Sequence, residues 1–112
     1  MTQLYNEIEI QAPKAAVWKA LSQVDLLQDY DPGVTRSEVL TKARSGVGAE
    51  RQCHLTPGGW FKERITEQGE GSLTFELFEC TLPVKKLKHR YVVEDLGGRT
   101  RVSQVMSYEL KY

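Results

Sequence analysis

The chain has no surplus of charge, few cysteines and no long apolar run, and each shortage removes a class of function. Fifteen Lys plus Arg balance fifteen Asp plus Glu over 112 residues, for a formal net charge of zero. A protein held to nucleic acid by phosphate contacts carries a basic surplus on one face, so nucleic acid is not an expected partner. Two cysteines, Cys53 and Cys80, are too few for a disulfide framework, and the start MTQLYNEIEIQ interrupts its apolar residues with acids, unlike an export signal. A reduced, cytoplasmic protein with buried thiols is the expectation. The two histidines, His54 and His89, do not combine with those cysteines at zinc-ligand spacing, and no metal is expected. No stretch approaches the ~20 apolar residues that span a bilayer, so stable membrane insertion is not expected. No serine sits in a nucleophile elbow, and no glycine-rich loop opens a helix as phosphate binding requires, so no cofactor is expected.

What is present is alternation. A chain of 112 residues suits one domain, 1–112, with a single core. Leu4, Ile8 and Ile10 fall on one side of a first strand, with Glu7 and Glu9 on the other. Pro13 then suits the start of a helix to about Gln23, in which Ala16, Val17, Ala20, Leu21 and Val24 recur at helical spacing. A second short helix is expected from Asp25 to Tyr30, stopped by Asp31-Pro32-Gly33. Strands follow at Val34 to Thr41, Ala49 to Leu55, Trp60 to Gln68, Ser72 to Thr81, Leu87 to Asp95 and Thr100 to Tyr112, with glycine or proline between most of them. Within the fourth of these, Leu73, Phe75 and Leu77 share one parity while Phe78 and Cys80 take the other, which marks a bulge or a strand end covered on both faces. The sum is an antiparallel meander whose concave apolar face needs a cover.

Period two also sets Arg51, Glu63, His89, Tyr91, Gln104 and Tyr108 beside apolar neighbours. In a pocket, such groups orient carbonyls or hydroxyls while the apolar lining supplies affinity. Arg51 and Glu63 stand on successive strands, where a buried ion pair is the plain structural reading. His89 is a candidate general base, set against the commoner role of a hydrogen-bonded strand histidine. Tyr91 and Tyr108 either cap the core or touch a ligand. Trp60 and Phe61, beside Gly58-Gly59, belong to a pocket mouth or pack under that turn. The run Lys85-Lys86-Leu87-Lys88-His89-Arg90 reads as a solvated strand edge, with an anionic headgroup as the alternative contact.

The segments IEIQAPKAAVWKALSQVDLLQDYDPGV, GVGAERQCHL, FKERITE and GGRTRVSQVMSYEL, in that order, resemble the START/SRPBCC superfamily and, within it, the polyketide cyclase/dehydrase-like branch. The resemblance implies an α+β helix-grip fold. Such a fold has a curved antiparallel sheet, here of about seven strands, with two short helices after the first strand and a ligand cavity between the sheet and a long C-terminal helix. The given chain reaches Tyr112 where members of the superfamily continue into that helix. The expectation is a grip helix outside the given chain, or a homodimer that buries two open sheet faces. The implied cavity lining is Arg51, Glu63, Phe75, His89, Tyr91, Gln104, Met106 and Tyr108. The expected function is binding of a hydrophobic small molecule: a lipid, a quinone or a polyketide-like compound. Two others stand beside it: a polyketide cyclase, aromatase or dehydratase in which Arg51, His89 or Tyr108 polarises carbonyls, and an interaction module whose open sheet docks on a partner.

Overall fold

The alternating segments become seven strands of one antiparallel sheet. The structure, a computed structural model, describes residues 2–29 and 31–111. In chain order the elements are β1 (Thr2–Ile10), α1 (Lys14–Ser22), a 3-10 turn (Leu27–Asp29), β2 (Val34–Val39), β3 (Glu50–Leu55), β4 (Trp60–Gly69), β5 (Ser72–Cys80), β6 (Val84–Asp95) and β7 (Thr100–Leu110). Across the sheet the order is β1-β7-β6-β5-β4-β3-β2. Consecutive strands from β2 to β7 therefore pair as a meander, and β1 joins at the far side against β7. Strands β1 and β2 are neighbours in sequence but occupy opposite edges. The segment between them has to cross the whole sheet, and it is this segment that carries α1.

Helix α1 begins where proline permits. Pro13 is the N-cap, with φ −67° and ψ 151°, and its carbonyl accepts the N–H groups of Ala16 and Val17. A residue without an N–H loses nothing there. Val17 and Leu21, one turn apart, are buried, and with Val24 they pack against Ile65, Leu73, Phe75, Val93 and Val102 of the sheet. The second expected helix is a single 3-10 turn. Asp31 Oδ1 accepts the Gly33 N–H at 2.9 Å, and the residue before a proline is biased away from helical backbone, so the turn does not grow. Tyr30, the last residue of the expected element, lies outside the described residues, as does Tyr112.

Two strand expectations are corrected. Strand β6 starts at Val84 rather than Leu87, because Val84 pairs with Leu110 and the Pro83 carbonyl accepts the Lys111 N–H. The basic run is only partly on a sheet edge: Lys88, His89 and Arg90 pair with β5 on one side and β7 on the other, whereas Lys86 and Leu87 pair with β7 alone, and the exposed Lys88 and Arg90 point away from the core by alternation. The parity switch in β5 is a bulge. Lys62 faces Glu79 and Glu63 faces Leu77, which leaves Phe78 as the extra residue. Its ring is exposed, with the Arg64 guanidinium 4.7 Å above it. A second irregularity lies between Ile65 and Glu67, and such bulges increase the coiling that makes one face concave.

The core sits under α1, over β4 to β7, and a smaller cluster of Leu27, Val34 and Cys53 seals the β2–β3 side with Leu55 and Phe61. Gly71, at the β4–β5 turn, has φ +75°, and a Cβ there would meet the Val93 carbonyl oxygen at 3.0 Å. No helix among the described residues is long and apolar enough to cross a membrane. Urea denaturation checks the placement of the core: Ile65→Ala should lose about 2–5 kcal/mol, whereas Val105→Ala, on the exposed face, should change stability by less than about 0.5 kcal/mol.

Candidate functional site

The inward positions of β3, β4 and β6 bring an arginine, a glutamate and a histidine together inside the sheet. Arg51 and Glu63 are direct cross-strand partners. Arg51 donates to Glu63 Oε1 from Nε at 3.0 Å and from Nη2 at 2.7 Å. The other carboxylate oxygen, Oε2, bonds His89 Nε2. Phe75, on the intervening β5, fixes both partners: the Arg51 guanidinium carbon is 3.9 Å from its ring centroid, and the His89 ring stacks on it at 5.5 Å and 28°. Arg51 is 0 % exposed and Glu63 1 % exposed.

A carboxylate at such depth exists only with charged partners. Burial is the largest single influence on Glu63 and by itself raises its pKa. The charges of His89 and then Arg51, with hydrogen bonds from both, overcome burial and hold the carboxyl down at about 2. Cys53 lies close to this cluster and behaves oppositely. Burial pushes its thiol up to about 11 against the lowering influence of Arg51, so it is an inert core thiol.

The cluster also decides which nitrogen of His89 carries a proton. A carboxylate only accepts, so Nε2 is the donor toward Glu63. Nδ1 faces the Tyr91 hydroxyl at 3.2 Å and Gln104 Nε2 at 3.3 Å, and Gln104 Nε2 also donates to Tyr91 Oη at 3.2 Å. The network therefore passes from a buried ion pair to two polar groups farther along the concave face.

Those two groups line a cleft of about 640 Å³ between the segment carrying α1 and the β1, β7 and β6 part of the sheet. Its walls are mainly apolar: Ile8 and Ile10 from β1, Val102 and Met106 from β7, and Ala16, Val17, Ala20 and Leu21 from α1. Ala12, Leu27, Asn6, Glu7, Asp31 and Pro32 complete the lining, and among the described residues no Lys, Arg or His contributes to it. The carboxylate of Glu7 is engaged by Arg101 at 3.4 Å.

Of the side chains expected to line a cavity, Tyr91, Gln104 and Met106 do so. Arg51, Glu63, Phe75 and His89 form the buried cluster behind them, connected to the cleft through Tyr91 and Gln104. Tyr108 belongs to neither group: it is half-buried, opposite Leu87 on one side and Thr2 on the other. Trp60 and Phe61 are also elsewhere. Phe61 packs on the Leu27–Val34–Cys53 cluster, and Lys62 Nζ lies 5.2 Å from the Trp60 ring. Sequence reasoning missed the helix wall. Ala16 and Ala20, small residues four apart on α1, are the signal that was available, since small side chains leave room between a helix and a sheet. His54 pairs with Glu38 at 2.6 Å, and no group among the described residues gathers three metal-ligating side chains.

The chain matches the family described as polyketide cyclase / dehydrase and lipid transport over residues 1–111. It belongs to that family. Solved structures agree on the fold of this family member. A START superfamily protein from Mycobacterium smegmatis is 14 % identical with a TM-score of 0.85, covering 98 % of this chain and 78 % of its own. The Zhui aromatase/cyclase from a Streptomyces strain is 15 % identical with a TM-score of 0.84, covering 99 % and 69 %. A ginseng major latex-like protein from Panax ginseng is 18 % identical with a TM-score of 0.82, covering 99 % and 80 %. Among curated proteins nothing matches.

The ion cluster sets an acid limit on this polyketide cyclase/dehydrase-family domain. The carboxyl of Glu63 titrates near 2 when folded against an ordinary 4.5, so its contribution is fully present above pH 4.5 and is lost as pH falls toward 2. Urea unfolding at stepped pH should show a loss on the order of 3 kcal/mol over that window that is missing in Glu63→Gln. At neutral pH, Arg51→Met should lose about 3–5 kcal/mol, because it strands a buried carboxylate.

Proposed function

We propose that the protein binds a hydrophobic small molecule in the cleft between α1 and the β1–β7–β6 part of the sheet. The observation that carries this reading is an apolar cleft whose floor presents two polar side chains, Tyr91 and Gln104, held in place by a buried ion cluster. Its volume of about 640 Å³ lies within the ~300–1,000 Å³ typical of small-molecule pockets. The apolar walls supply affinity through removal of ligand surface from water. Tyr91 and Gln104 orient one oxygen function of the ligand. A lipid, a quinone or a polyketide-like compound fits this pattern, in keeping with a family described by polyketide cyclisation, dehydration and lipid transport. The two free thiols support a reducing, cytoplasmic setting.

A catalytic reading, as a polyketide cyclase, aromatase or dehydratase, is favoured by one observation: an imidazole nitrogen contacts a tyrosine hydroxyl at the cleft floor. The aromatase/cyclase among the structural neighbours is compatible with it.

The lining distinguishes ligands by charge. With no cationic side chain to meet a carboxylate, a long-chain alcohol should bind about tenfold more tightly than the fatty acid of equal length in calorimetric titrations. Ala16→Trp, at an exposed position on the helix wall, should abolish binding with the circular dichroism spectrum unchanged. Equal affinity of Ala16→Trp and the parent chain would reject the cleft as the site. If a second copy occupies the open face instead, light scattering gives a doubled mass and the alcohol does not bind.

A further inference from the structure

We propose that β1 is a pairing edge for a second copy of this chain: two copies join β1 to β1, antiparallel and centred on Asn6, so that two seven-stranded sheets become one continuous sheet.

The two edges of the sheet differ. At one edge, β2 is only six residues long, its register with β3 shifts between Val34 and Arg36, and it carries Arg36 and Glu38 in a charged cluster with His54. Short length, a bulge and charge are devices that keep an edge from pairing with another chain. At the other edge, β1 runs nine residues, Thr2–Ile10, in unbroken register with β7, and holds no proline, lysine or arginine. Alternate backbone N–H and C=O groups of β1 face away from β7, and among the described residues no other strand takes them. Leu4 and Ile8 lie on the cleft face, opposite Met106 and Val102, and Tyr5 lies on the outer face, opposite Val105. They are 48 %, 59 % and 62 % exposed, so apolar surface flanks the free edge on both sides. The two acids of the strand are met from the β7 side, with Arg101 3.4 Å from Glu7 and Arg99 3.5 Å from Glu9.

The strand is complementary to itself. Side chains alternate, so two joined sheets keep their faces continuous only when residues of like parity are opposed. With Asn6 opposite its own copy, the whole of Thr2–Ile10 is paired, Thr2 against Ile10 at each end. Leu4 then meets Ile8 of the second copy on the cleft face, while Tyr5 meets Glu7 and Gln3 meets Glu9 on the outer face. No like charges are directly opposed; Glu7 and its copy are diagonal, each with its own Arg101. Centring on Glu7 instead would set that carboxylate against itself, and centring on Tyr5 would shorten the ladder and break the contact of Leu4 with Ile8. The arrangement is isologous and closes at two copies, whereas β1 docked on β2 of a second copy would leave a free β1 and continue. Both concave faces stay on the same side of the joined sheet and uncovered by the joint, so this dimer differs from one in which two open faces close on each other.

Asn6→Cys tests the register. Directly opposed residues of an antiparallel pair have Cα atoms about 4.5–5.5 Å apart, within the span of a disulfide. Under mild oxidation the full chain carrying Asn6→Cys, a change at an exposed position, should pass largely into a covalent dimer on a non-reducing gel. Thr35→Cys, exposed on β2, and the parent chain, whose Cys53 is buried and Cys80 half-buried, should remain largely uncrosslinked. Without oxidant, light scattering on the parent chain should show a doubled mass as concentration rises to about 100 μM, and Leu4→Lys should weaken association about tenfold or more. A monomer throughout that range overturns the proposal and leaves the edge to an extended segment of another protein. A dimer in which Asn6→Cys crosslinks no better than Thr35→Cys also overturns it, and assigns the contact to another face.

Discussion

A carboxylate at the centre of the sheet sets the terms for much of this structure. Glu63 has almost no exposure through which water could solvate it, so protein groups must do that work: two guanidinium donors on one oxygen and an imidazole on the other. Those partners come from β3 and β6, which places three strands in a fixed relation across β5. A register slip of one residue in any of them would turn a charge outward and leave its partner buried alone. The cluster therefore specifies pairing more sharply than its apolar neighbours do, since Ile, Leu and Val exchange places at far lower cost.

The second constraint is topological. Because β1 and β2 are opposite edges, the chain between them lies across the concave face, and its single helix covers only part of it. Val17, Leu21 and Val24 pack into the core over β4 to β7, and Val17 and Leu21, with the smaller Ala16 and Ala20, also face the cleft.

Much of this was legible in the amino-acid order. Alternation put Arg51, Glu63, His89, Tyr91 and Gln104 on inward faces, and the parity switch at Phe78 announced a bulge that the β4–β5 register contains. Family membership, too, followed from short segments in a fixed order. What alternation cannot express is depth. Arg51 and Gln104 carry the same inward signature, yet one is sealed beneath the core and the other faces the cleft, because that difference depends on where α1 lies. Tyr108 has the same parity as Gln104 and Met106, but it stands farther along β7, opposite Thr2 and Leu87. Pro83 marks a local stop, while the pairing of Val84 with Leu110 that extends β6 is a long-range bond that no local pattern displays.

The edge position of β1 has a mechanical consequence. Among the described residues β7 is its one strand neighbour, and all but the last of its residues are exposed, so the β7 ladder and surface ion pairs such as Arg101 with Glu7 hold it. Local opening begins where few contacts resist it. The cleft therefore has a stiff floor, anchored through the ion cluster to the middle of the sheet, and a compliant wall at β1.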